Sequence, residues 1–362
     1  MANCLKPSGI GGGRLVYVDI LRGITMLLVI YSHVCYKLFE AYPESHINNI
    51  FVTFRMPLFF FVSGFFMYSD KMNYNLYGKR LLNRFFIQLY PTFLLLAVFC
   101  LITSTNYIFA LASPFKEGYW FTFVSVEMYV IIGTTILLLN TLKLNNSGKT
   151  KILLVIAGVS AVSCVLFRKT CISETSIFEI LSIDPLSHFT PYLCLGCIFK
   201  IYYKEIMSKY LTLRYLLTAM IVFVFSIIFP KYSLYTLLPA ISGIYILHYL
   251  CYNLYKLCNS SVLIKRINGV LAKVGTLTLE IYLIHYIILH YTKIYSPDLI
   301  LIGKKVCNTV LEFPFYMIIS ILVAFICIAM VKLLKSCRLY RFIFPKKEFI
   351  EKISIRVSDL LY

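Results

Sequence analysis

Three ionisable side chains, Asp19, Arg22 and His33, fall within one apolar stretch near the start of the chain. A charged group at the centre of a bilayer costs about 2.5–3.5 kcal/mol, so each of the three needs a physical reason. Arg22 and His33 are eleven residues apart. At 100° per residue that is three turns plus about 20°, which puts them on one helix face about 16 Å apart along the axis. Asp19, three residues before Arg22, lies on the same side and can pair with it. Such a stripe lines a cavity rather than a lipid-facing surface. Other stretches carry polar groups to the same depths. Arg55, just before Pro57, and Glu127 are expected near the level of His33, facing outward. Lys79, Arg80 and Arg84 are expected at the inner face, near Glu280, with His285 between the two levels. An outward cluster with a histidine and a carboxylate, and an inward cluster of arginines, is what two-sided chemistry across a membrane requires.

The elements that carry these groups are apolar helices. Hydrophobic residues make up 60% of the chain and charged residues 14%, against roughly 25% charged in soluble domains. Stretches long enough to cross a bilayer are predicted near 15–38, 49–68, 85–104, 119–142, 150–167, 186–203, 211–229, 233–256, 276–294 and 309–335. This is an all-α integral membrane protein, a bundle of about ten transmembrane helices. With the N-terminus inside, 25 of the 35 Lys and Arg residues fall on inner segments and eight on outer loops, while Arg22 and Arg55 lie within spans. That bias places both termini in the cytoplasm and makes a multi-pass protein of the cell (inner or plasma) membrane. The net charge of +19 is then mostly topology, and nucleic acid is not an expected partner. The domain reading is a transmembrane domain over 1–335 and a basic cytoplasmic tail over 336–362. In the tail, Phe349, Ile353, Val357 and Leu360 fall on one helical face beside lysines and arginines, an amphipathic pattern suited to an anionic leaflet.

Most of the twelve cysteines lie inside spans and read as small buried hydrophobes. Cys194-Leu195-Gly196-Cys197 has redox spacing but sits in an apolar helix, so it reads as packing. Gly11-Gly12-Gly13 precedes a membrane helix rather than following a strand, and is a flexible lead-in rather than a phosphate loop. The sequons at Asn145 and Asn259 fall on inner loops. No cleavable leader, internal repeat or additional soluble domain is evident, and no metal is expected.

Four segments resemble the membrane-bound acyltransferase-3 family. Arg22 followed by His33 looks like its Arg-x10-His signature. Met56-Pro57-Leu58-Phe59-Phe60-Phe61-Val62-Ser63-Gly64 looks like its Phe-rich Ser-Gly element. Lys79-Arg80-Leu81-Leu82-Asn83-Arg84 leading to Tyr90-Pro91 is similar to its basic motif, and Leu279-Glu280-Ile281-Tyr282-Leu283-Ile284-His285 to a late helix. Tyr119-Trp120-Phe121 matches the aromatic start of another. One departure stands out: in the branch resembling fucose-type O-acetylases a His often precedes the Met-Pro, and here that position is Arg55. The resemblance implies transfer of an acyl group, usually acetyl from acetyl-CoA, to a hydroxyl of a surface glycan, exopolysaccharide or glycolipid.

On that reading His33 takes the acceptor's proton or carries the acyl group, with Glu127 or another acid orienting it. Arg55, Tyr282 or backbone N–H groups face the oxyanion. Arg80 and Arg84, with Lys79, meet the phosphates of the acyl-CoA donor. Arg22 faces the donor's pantetheine arm or holds Asp19. A polytopic transporter or flippase for a glycan or small anion is the rival reading, since it too needs two-sided polar cavities. No pair of matching broken segments speaks for it. Ser63-Gly64 reads as a close packing point, and Trp120 as an interfacial anchor.

Overall fold

The computed structural model describes residues 15–42, 44–169, 176–229, 237–257, 261–336 and 338–345, and the described residues form helices and connecting turns. The principal helices are α1 (Val16–His33), α2 (His46–Met67), α3 (74–103), α4 (Trp120–Thr141), α5 (Asn146–Lys169), α6 (Ile183–Ile201), α7 (Leu213–Ile228), α8 (Leu237–Lys256), α9 (Val262–Thr276), α10 (Thr278–Tyr295), α11 (Pro297–Val306) and α12 (Glu312–Ser336). Among the described residues, seven helices are long and apolar enough to cross a membrane. The number rises to nine if α7 and α10 are each counted with the short helix that precedes them at a sharp bend. Every one of the ten predicted stretches overlaps a helix. The stretch expected at 186–203 is α6, which carries Asp184, Ser187, His188, Thr190 and an internal Pro191 and falls outside that apolar set. The predicted amphipathic face of the tail lies outside the described residues.

One boundary differs from the expected one. The basic residues 79–84, expected in an inner connection, belong to α3 itself. Asn73 caps that helix by accepting from the Leu76 amide at 2.8 Å, and the helix runs on to Thr103, ending at Ser104 in left-handed conformation. The first span ends at Leu38, as expected, but its last turn, Val34–Leu38, directly after His33, is a wider turn of i→i+5 type; another such turn, Phe85–Leu89, directly follows Arg84. Turns of this kind aim side chains differently from a regular helix and are frequent at functional sites.

The chain divides into two compact units. The first comprises residues up to Phe59 with Lys204–Ala329, and the second Phe60–Tyr203 with residues from Met330 on. Each contains a helix crossing of backbone on backbone. In the first, a Cβ on Gly23 would stand 2.0 Å from the Leu271 carbonyl oxygen, and one on Gly275 1.9 Å from that of Asp19, so α1 and α9 touch with no side chain between. In the second, Gly64 and Gly196 hold α2 and α6 together in the same way. The Cys197 thiol donates to the Gly64 carbonyl at 3.3 Å. Small residues at crossings let dispersion contacts and weak hydrogen bonds act where lipid supplies no hydrophobic drive between helices. Ser63-Gly64 and Cys194–Cys197 are thus packing segments. Trp120 stacks on Phe189, which stacks in turn on Phe60.

Candidate functional site

α1 is the most enclosed of the candidate spans, so its polar groups meet protein. Asp19 and Arg22 pair at 3.9 Å, with Asp19 buried and Arg22 partly exposed. One end of α1 brings His33 against α10. The His33 Nδ1 lies 2.8 Å from His285 Nε2, and His33 Nε2 lies 2.9 Å from the Tyr286 hydroxyl. His285 Nδ1 lies 3.0 Å from the Ile281 carbonyl oxygen. His285 and Tyr286 are buried and His33 is half-buried.

The protons of this chain follow from its far end. A carbonyl only accepts, so His285 Nδ1 carries a hydrogen and donates to Ile281. Neutral His285 then has a lone pair at Nε2, and His33 must donate its Nδ1–H there. That leaves the His33 Nε2 lone pair to accept from the Tyr286 hydroxyl. These tautomers are assigned from the hydrogen-bond pattern. The result is a histidine whose outward nitrogen is basic and whose inward nitrogen is anchored, the logic of an oriented general base.

Arg55, on α2, acts electrostatically on His33 together with Lys37. Its Nε and Nη1 are buried and have no hydrogen-bond partner among the described residues. Two carboxylates of this unit are engaged elsewhere. Glu312 is fully buried and accepts from Tyr31 Oη at 3.2 Å, from the Ser45 hydroxyl and from the Asn308 amide at 2.6 Å. Glu40 is exposed and bridges Lys293 at 2.6 Å and Lys304 at 2.8 Å, which hold its carboxyl down to about 2. Together Glu312 and Glu40 tie the segment after His33 to α10, α11 and the start of α12.

The second unit carries the other predicted residues. Arg80 and Arg84 share one face of α3. Arg80 Nη1 donates to the Met67 carbonyl at 3.1 Å, the guanidinium of Arg84 lies 4.5 Å over the Tyr129 ring, and its Nη1 reaches Ser125 Oγ at 3.5 Å. Tyr77 stacks on the same Tyr129. Both arginines are half-buried, whereas Lys79 is exposed. Glu127 is half-buried, and its Oε2 has no hydrogen-bond partner among the described residues. The charge acting on it is Lys116, a buried lysine whose ammonium donates to the carbonyls of Ser113, Glu179 and Ile180; burial pushes that ammonium down. Lys116, Glu117 and Gly118 are consecutive residues in left-handed backbone, and this unusual turn aims the lysine inward. Among the described residues no three His, Cys, Asp or Glu side chains converge as a metal site.

Residues 15–329 match the family model of the acyltransferase-3 domain, described as an acyltransferase domain. The chain belongs to the acyltransferase-3 family. A comparison with curated proteins returned no match, and one with solved structures returned none. As a family member it is a multi-pass membrane acyltransferase, and its helices fit that assignment.

Within this acyltransferase the structure brings together His33, Arg55 and the α10 pair His285–Tyr286 in one unit. It brings together Arg80 and Arg84 in the other, where Glu127 also lies. Tyr282 is buried with its ring 5.9 Å from that of His285, but the hydroxyl on His33 is that of Tyr286. Sequence reasoning passed over Tyr286 and left His285 without a partner. The available signal was two adjacent hydrogen-bonding rings on a helix already holding a family motif.

Proposed function

We propose that the protein is a membrane O-acyltransferase that moves an acyl group, acetyl in the simplest case, from cytoplasmic acyl-CoA to a hydroxyl of a surface glycan, exopolysaccharide or glycolipid. The observation that carries this reading is the Tyr286–His33–His285 chain, which leaves one basic imidazole nitrogen with its tautomer set from behind. An acceptor hydroxyl must reach the position that Tyr286 Oη occupies on His33 Nε2. There it loses its proton to Nε2 as its oxygen adds to the thioester carbonyl. The C–S bond breaks as the tetrahedral intermediate collapses, and the imidazolium returns the proton to the departing sulfur. The imidazolium gains from the neutral His285 lone pair that already accepts its Nδ1–H. The oxyanion that forms on the carbonyl oxygen needs a donor within hydrogen-bond reach, and the Tyr286 hydroxyl, once displaced, supplies one.

Arg80 and Arg84 are forked, permanently charged donors suited to the phosphates of the acyl donor. Arg84 is pre-oriented by its Tyr129 platform. Arg22, paired with Asp19, is the inner member of the α1 stripe, suited to holding the donor's polar arm. Glu127 lies in the second unit, where Lys116 is the charge that acts on it.

The test is transfer itself. Purified protein in detergent should bind acetyl-CoA and place labelled acetyl on a glycan acceptor, and His33→Ala should abolish transfer while leaving the amount of protein in the membrane unchanged. Wild-type protein that transfers nothing to any glycan or glycolipid acceptor but moves a solute in liposomes would replace the enzyme with the transporter.

A further inference from the structure

Arg55 carries a permanent charge on a half-buried side chain. Its Nε and Nη1 are buried and lack hydrogen-bond partners among the described residues. The titratable groups that act on it are the phenols of Tyr286 and Tyr42 and the thiol of Cys35, with no carboxylate among them. A second cation, Lys37, acts on the same histidine. Of the described carboxylates in this part of the unit, Glu312 is committed to Tyr31, Ser45 and Asn308, Glu40 to Lys293 and Lys304, and Glu44 is exposed; none of the three is among the groups that act on Arg55. A buried charge without a counter-ion costs several kcal/mol, which structure retains only when something else offsets it. An oxyanion would do so only in passing, during the chemical step. A fixed anion on the ligand would do so throughout binding, and a guanidinium matches carboxylate and phosphate geometry in two parallel hydrogen bonds.

From this arrangement we infer that the acceptor is an anionic glycan: a carboxylate or phosphate on the sugar docks on Arg55 and so presents a neighbouring hydroxyl to His33. The inference rests on the acyltransferase reading of the His33 site and adds the class of acceptor. It makes Arg55 a specificity-determining residue for ground-state binding, rather than the oxyanion donor that its position first suggests.

The experiment uses two matched acceptor pairs with the full-length protein. One pair is a disaccharide containing a hexuronic acid and the same disaccharide as its methyl amide. The other is a phosphate-bearing disaccharide and its unphosphorylated counterpart. Acyl transfer and direct binding by calorimetry are both read. Wild-type protein should favour the anionic member of at least one pair by about tenfold to a hundredfold in KM and in Kd, the range for one lost charge-assisted contact. The pair that shows the preference tells carboxylate from phosphate. Arg55→Gln should erase the preference in both KM and Kd, and Arg55→Lys should keep part of it because charge remains and the fork is lost.

Transfer that is equally good to charged and neutral acceptors, or an Arg55→Gln loss that falls on kcat alike for both, overturns the inference and leaves the acyltransferase reading in place. Binding preference without any acyl transfer keeps the anionic ligand and removes that reading. Neither binding nor transfer with any of the four sugars removes both.

Discussion

His285→Leu removes the acceptor of His33 Nδ1–H and puts an apolar side chain of similar size in a fully buried position. The hydrogen that Nδ1 carries is then left facing hydrocarbon. Leaving a buried donor unsatisfied costs about 1–3 kcal/mol. The imidazole escapes part of that cost by moving its hydrogen to Nε2, where it can donate to Tyr286. That escape is the damaging event, because it takes the lone pair away from the nitrogen that must receive the acceptor's proton. If the energy gap between the two tautomers shifts by 1–3 kcal/mol, the productive form falls by about fivefold to 150-fold, at 1.36 kcal/mol per factor of ten.

The assay is kcat for acyl transfer in detergent, with KM for both substrates and the pH profile measured alongside. The fall should sit in kcat, with little change in either KM, since His285 meets the ring of His33 and not the ligands. His285→Gln, whose amide oxygen can accept at nearly the same place, should recover a good part of the rate. Protein amount and melting temperature report on folding separately. A His285→Leu enzyme with kcat within twofold of wild type would refute the tautomer argument. A rate loss that Gln does not relieve, accompanied by a lowered melting temperature, would make His285 a packing residue.

Gly275→Ala should lower the melting temperature of the purified protein, because its new methyl would stand 1.9 Å from the Asp19 carbonyl oxygen and neither backbone can step aside; overpacking of this kind costs about 1–3 kcal/mol, and an unchanged melting temperature would show that α1 and α9 are not in backbone contact. Arg84→Gln should raise KM for acetyl-CoA with little effect on kcat, and Arg84→Lys should restore it only in part because the platform on Tyr129 favours a planar fork; equal affinity in all three proteins would free Arg84 from the donor site. Glu40 titrates below the ordinary carboxylate range because Lys293 and Lys304 hydrogen-bond to its ionised form. Its contribution is therefore complete above about pH 4.3 and is lost as pH falls toward 2. The stability difference between wild type and Glu40→Gln should be small, shrink with salt because the group is exposed, and fade as pH falls through about 2; a difference as large at about pH 2 as at about pH 5 would contradict the clasp.

The helices were legible because the bilayer imposes length and apolarity on each one, whatever it packs against. The Asp19–Arg22 pair was legible for a similar reason, since i,i+3 geometry is local. What failed at the boundary of α3 was a property of the second unit. Lys79, Arg80 and Arg84 read as a polar connection, but Tyr77 and Arg84 both pack on Tyr129 of α4, and that tertiary face lets a charged segment continue as helix. The His33–His285 contact lay further out of reach. The two residues are 252 positions apart, and their meeting depends on where α10 begins along α1. That origin is set at Gly275, whose backbone lies against Asp19 and Gly23 just before the chain bends by 81° into α10. Ten residues later His285 arrives at the other end of α1. A glycine read from the sequence alone is a gap in a hydrophobic pattern. Here it fixes the separation of two helices to within a carbonyl's radius, and through the bend it aims the imidazole that holds His33. Gly275→Ala should therefore shift the His33–His285 spacing as well as the melting temperature, and should depress kcat even at temperatures where the protein remains folded.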